Sequence, residues 1–147
     1  MLGFVRHCVL ALACGPLLAV RTQAQEPVQW GKPGDTLIFA TFSIAAFDPR
    51  TKEVGVAVTT RNPCVGSAVP WVRAGVGAVA TQANSRTQYG DELLDALGKG
   101  EAPDAALTRL LNADSASRSR QVGVIGIDGR AAQHTGSAAN AWAGHRR

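Results

Sequence analysis

The sequence predicts an α+β protein, in which antiparallel strands and two helices share one core. Three observations carry this. Period-2 runs of small and branched residues recur along the chain, two helical stripes interrupt them, and tight-turn residues join the runs in pairs. The chain has 147 residues, the size of one ordinary domain, and its 46% hydrophobic and 18% charged content suits a packed interior.

The elements follow in chain order. Residues 37–48, LIFATFSIAAFD, are an apolar run long enough for a buried strand, ended by Asp48-Pro49. Within it Thr41 and Ser43 are two apart, so they share one face of that strand. DPRTKE supplies turn residues. EVGVAVTTR, residues 53–61, alternates Val54, Val56 and Val58 with Gly55, Ala57 and Thr59, so the two runs should pair as an antiparallel hairpin. NPCVGSAVPW, broken by Pro63, Gly66 and Pro70, should be irregular. AGVGAVATQA, residues 74–83, reads as a strand whose small residues admit a neighbouring layer closely.

YGDELLDALGKG reads as a helix with Leu93, Leu94 and Leu97 on one stripe and Gly98 or Gly100 at its end. Pro103 suits the first turn of a second helix, with Ala106, Leu107, Leu110 and Leu111 on its apolar face. ADSASRSR is a polar loop. RQVGVIGIDGRAAQHTG is a hairpin turning at Asp128-Gly129. The tail SAANAWAGHRR has no clear period. The strands lack a clean polar face, so both sheet faces should be covered.

The first 24 residues read as a signal peptide. MLGFVRH gives a positive start, CVLALACGPLLAV is an apolar core of thirteen residues, and Thr22 and Ala24 sit where signal peptidase needs small side chains. Thirteen apolar residues are few for a membrane span. Two other readings stand beside this one: LALAC as a lipoprotein box, and an uncleaved apolar anchor. Residues 25–40, with two prolines and two glycines, read as a linker or propeptide, and residues 41–147 as the folded domain. The expected location is periplasmic or secreted, with no stable membrane insertion after cleavage.

Loss of Arg6 and Arg21 with the leader changes the formal charge from +4 to +2. No basic stripe interleaves with aromatics, so nucleic-acid binding is not expected. Cys8 and Cys14 leave with the leader, and Cys64 alone supports neither a disulfide framework nor a metal site. It is expected to be a small buried hydrophobe. No metal or other cofactor is expected.

TFSIAAFDPRTKEVGVAVTTRNPCVGSAVPWVRAGVGAVATQA, the YG-led helix pair, RQVGVIGIDGRAAQHTG and WAGH together resemble the DUF1028 family, from about Thr41 to His145. That uncharacterised family is assigned to the N-terminal-nucleophile (Ntn) hydrolases. The resemblance implies an αββα sandwich, with two mostly antiparallel sheets packed face to face and helices outside. It also implies hydrolysis of an amide bond in a small molecule or peptide. In such enzymes the first residue of the mature chain is the nucleophile, and its own α-amine, with an unperturbed pKa near 8, is the general base.

Thr41 maps to the start of the family's first strand and is the candidate nucleophile, with Ser43 beside it. The amine is free only if the bond after Ala40 is cut, by autoproteolysis in the superfamily's usual manner. Arg61 could stabilise an oxyanion or hold a carboxylate. Gln82, Asn84 and His145 could orient substrate, and His134 could be a polar site residue. The plainer readings are strand residues for Thr41 and Ser43, a solvated strand-end charge for Arg61, turn partners for Gln82 and Asn84, and structural or exposed histidines. Related chains, as the resemblance implies, continue past WAGH, so an incomplete sandwich with an unpaired edge and bare apolar surface is expected. A homo-oligomer could supply the missing strand. The alternatives to catalysis are a non-catalytic ligand-binding module on the same fold and a non-functional gene fragment.

Overall fold

The structure is a computed structural model that describes residues 40–140 and 143–146. The leader, the linker up to residue 39 and Trp142 of the WAGH motif lie outside the described residues. Six strands and two helices follow in order: β1 (Thr41–Phe47), β2 (Val54–Thr60), β3 (Pro70–Arg73), β4 (Gly77–Gln82), α1 (Gln88–Gly98), α2 (Pro103–Ala113), β5 (Gln121–Gly126) and β6 (Ala131–Thr135). They form an α+β sandwich: β1 and β2 make a small antiparallel sheet, and β3-β4-β5-β6 make a second antiparallel sheet in that spatial order.

Both expected hairpins form. Between β1 and β2, Asp48 organises the loop: its carboxylate accepts the Arg50 N–H at 2.8 Å and its carbonyl accepts the Lys52 N–H at 2.8 Å. The second turns through Asp128 and Gly129, the glycine supplying φ +80°. β3 is a correction to the expected irregular segment. Pro70 can open a strand there because β3 is a sheet edge, where a missing N–H leaves no ladder bond unmade. Cys64 is also a correction. It is exposed, in left-handed backbone at φ 58°, at the head of the 3₁₀ turn Val65–Ser67.

The helices cover one face of the larger sheet. Tyr89, Leu93, Leu94 and Ala96 of α1 join Ala106 and Leu107 of α2 over Val79, Val122, Val124 and Ala132. Leu97, Leu110 and Leu111, expected on the same stripes, are half-buried at its margin. Helix α1 ends in a Schellman arrangement: Glu101 N–H reaches the Ala96 carbonyl at 3.0 Å, Gly100 N–H reaches Leu97 at 2.9 Å, and Gly100 takes φ +87°.

Close approaches explain two glycines. A Cβ on Gly90 would lie 2.1 Å from the Trp71 ring, so α1 rides directly on the β3 indole. A Cβ on Gly77 would lie 2.3 Å from the Ile125 carbonyl. The close neighbour of that segment is therefore the adjacent strand β5, rather than only a second layer.

The small sheet packs on the other face of the larger one, over β3, β4 and β5. Its outward face departs from the expectation of full cover: Phe42 is 65% exposed and Ile44 55%. The alternation that turns Thr41, Ser43, Ala45 and Phe47 inward necessarily turns Phe42 and Ile44 out. Among the described residues no helix is long and apolar enough to cross a membrane.

Candidate functional site

Two strands are narrower than four. The small sheet therefore leaves part of the inner face of β5 and β6 open beside β1, and a cavity of about 800 Å³ lies there. Thr41, Ser43, Gln82, Gln121, Gln133 and His145 are among the residues that line it. Four of the seven sequence candidates, Thr41, Ser43, Gln82 and His145, thus come together around one space.

Thr41 opens β1 and Thr60 closes β2, directly opposite in register. Their hydroxyl oxygens are 2.9 Å apart. The Thr60 hydroxyl also lies 3.2 Å from the Ala40 carbonyl oxygen and accepts the Asn62 N–H at 3.1 Å. A carbonyl oxygen can only accept, so the single Thr60 proton goes to Ala40. The Thr41 hydroxyl must then donate to Thr60.

The Thr41 carbonyl is held from the other sheet. Gln82 Nε2 donates to it at 3.0 Å and to Gln121 Oε1 at 2.7 Å. Gln121 Nε2 donates onward to Thr135 Oγ1 at 3.1 Å and to the Gly144 carbonyl at 2.8 Å. Strand register builds this row, since Gln82 pairs with Gln121 and Gln121 with Thr135. Thr135 Oγ1 lies 2.9 Å from His145 Nδ1. Each amide nitrogen has two protons and each is used, which fixes both amide orientations.

Gln82 Oε1 is the exception in this row. The residue is 7% exposed, and among the described residues that oxygen is the buried side-chain polar atom with no hydrogen-bond partner. Ala83 and Asn84, in left-handed backbone at φ 55° and 58°, turn the chain away immediately after it.

The other candidates stand elsewhere. Arg61 is exposed in the bend after β2, outside the cavity lining. Asn84 is exposed; its amide reaches Ser119 Oγ at 3.5 Å and its carbonyl accepts from the Arg120 guanidinium. His134 lies against the opposite side of the sheet, its Nε2–H donating to the Ser117 carbonyl at 2.9 Å. Thr60, Gln121 and Thr135 are the members of the site that sequence reasoning missed. The signal for Thr60 was available: it continues the inward series Val54, Val56, Val58, and the hairpin loop length sets it opposite Thr41.

Among the described residues no three of His, Cys, Asp and Glu come together to hold a metal ion. The strongest electrostatic perturbations lie beyond the cavity. Asp114, just after α2, pairs with Arg120 at 2.9 Å and accepts from Tyr89 Oη at 3.1 Å and Ala116 N–H at 2.9 Å. The Arg120 hydrogen bond, with those of Ala116 and Tyr89, holds its carboxyl down at about 2, against the cost of burial. Burial first, and the Asp114 charge second, push the Tyr89 phenol up to about 12.

A family model described as a family of unknown function, DUF1028, matches residues 41–147. A protein from Silicibacter pomeroyi, assigned to the same family and solved as a crystal structure, is 36% identical over 71% of this chain, with a TM-score of 0.68. The match covers 46% of that protein, so this chain spans less than half the length of the structure it resembles. A search of curated proteins finds no match. The matched region starts at Thr41, the residue that opens β1, and the chain belongs to the DUF1028 family.

Proposed function

We propose that this chain is an exported, periplasmic or secreted amide-bond hydrolase of the Ntn type. Thr41, made a chain terminus by removal of residues 1–40, attacks the carbonyl carbon of a small-molecule or peptide amide. Its α-amine, near its working pKa at neutral pH, takes the hydroxyl proton and passes it to the leaving nitrogen. Water then hydrolyses the acyl ester. No cofactor takes part.

One observation carries this reading. The Thr41 hydroxyl and carbonyl are both held by named partners at the wall of a cavity large enough for a small substrate. The family match beginning at Thr41 supports it. His145 and Gln133 line the same cavity as groups to orient a polar substrate.

The test is turnover of a panel of amide substrates by the processed chain. Thr41→Ala should lower it by a factor of at least about 10³, the scale on which a nucleophile's loss is felt. Thr41→Ser should retain part of it. Turnover by Thr41→Ala equal to that of the unsubstituted chain contradicts the reading.

A second reading, a non-catalytic ligand-binding module, is favoured by the amide side chains of Gln82, Gln121 and Gln133 that line the cavity. This reading predicts saturable binding of an amide ligand that is recovered unchanged.

A further inference from the structure

We infer that Thr60 is a catalytic residue for release of Thr41, acting on the Ala40–Thr41 peptide bond of the uncut chain. This inference rests on the hydrolase reading above, because only that reading requires a free amine on Thr41.

Thr60 Oγ1 donates to Ala40 O at 3.2 Å and accepts from Thr41 Oγ1 at 2.9 Å. One hydroxyl therefore touches both the oxygen on which negative charge would develop and the oxygen that would attack. The Asn62 N–H, at 3.1 Å, occupies the remaining acceptor position and holds the hydroxyl in this orientation. Thr is β-branched, with a restricted χ1, so the orientation costs little further entropy. The placement is built by the fold: Thr60 is the register partner of Thr41, with Gln82 fixing the Thr41 carbonyl from the opposite sheet. Ala40 is exposed and offers only a methyl group as side chain.

The chemistry balances without a co-reactant other than water. Thr41 Oγ1 forms a bond to the Ala40 carbonyl carbon while the carbonyl π pair moves onto its oxygen. The Thr60 proton passes to that oxygen as the Thr41 hydroxyl proton passes to Thr60 Oγ1. Collapse re-forms the carbonyl and breaks the carbon–nitrogen bond, and the proton on the intermediate's oxygen is delivered to the Thr41 nitrogen. The product is an ester between Ala40 and Thr41 Oγ1 with a free α-amine. One water hydrolyses it to the Ala40 carboxylate and restores the Thr41 hydroxyl.

The experiment follows the intact mass of purified, uncut full-length chain over time. The unsubstituted chain should cut itself after Ala40. Thr60→Val, which keeps the shape and removes the hydroxyl, should slow the cut by a factor of about 10² or more, the usual effect of losing one oxyanion donor. Thr60→Ser should stay within about tenfold, a rescue that a merely structural role does not require. Thr60→Ala replaces Thr60→Val if the latter does not melt cooperatively. Cutting by the hydroxyl-free variants at the unsubstituted rate overturns the role of Thr60 and leaves the hydrolase reading standing. A purified precursor that never cuts itself also overturns it. The hydrolase reading is then decided separately, by whether chain recovered from its native cells starts at Thr41.

Discussion

At the scale of single residues, the site is a problem of proton accounting. Thr41 is bound twice, through its hydroxyl by Thr60 and through its carbonyl by Gln82, and the two partners come from different sheets. Gln82 is the residue that ties β1 to β4. Replacing it with Leu leaves the Thr41 carbonyl and Gln121 Oε1 without their donor, while removing the unpartnered Oε1. Lost partners of buried polar groups cost about 1–3 kcal/mol. Gln82→Leu should therefore lower the urea-unfolding free energy by that amount. A loss below about 0.5 kcal/mol would show that the row of side-chain hydrogen bonds does not hold the strands together. Thr41, Ser43, Gln82 and His145 were legible in the sequence because each sits at a strand end or in a motif. Gln121 and Thr135 were not. Their part depends on which strands are neighbours, and local patterns do not encode the β4-β5-β6 order.

At the scale of elements, local chemistry and periodicity specify the two hairpins and both helices. Pro103 at the start of α2 and Gly100 after α1 act where their backbone constraints predict. β3 was hidden for a physical reason: four residues opening with proline carry no period, and the strand exists because β4 offers it a ladder. What holds α1 over this edge is the absence of a side chain at Gly90. Gly90→Ala would gain helix propensity of about 1 kcal/mol but place a methyl group 2.1 Å from the Trp71 ring. Overpacking typically costs about 1–3 kcal/mol, so the variant should be less stable by chemical denaturation, with Trp71 displaced. A gain in stability would mean that the indole moves aside freely.

At the scale of the whole molecule, the described residues form a small sheet, a larger sheet and a helix layer, with the cavity where the small sheet runs out. Asp114 joins the helix layer to the sheet, since Tyr89 belongs to α1, Asp114 follows α2 and Arg120 precedes β5. Its folded-state pKa of about 2 lies below the unfolded value of about 3.9, so the unfolded chain binds the proton more readily. The resulting stability is fully present above pH of about 4 and is lost as pH falls toward 2. It amounts to about 2 kcal/mol at neutral pH. Asp114→Asn should lose roughly that much at pH 7 and show a flatter stability profile between pH 4 and 2. A profile as steep as that of the unsubstituted chain would place the acid sensitivity in other carboxylates. Turnover by this site depends on residue 41 being a chain terminus. The direct measurement is N-terminal sequence and intact mass of the protein recovered from its native cells. The expected result is a chain beginning at Thr41 with a free amine. A chain beginning at Gln25, with the Ala40–Thr41 bond intact, would contradict it and give the lead to ligand binding without turnover.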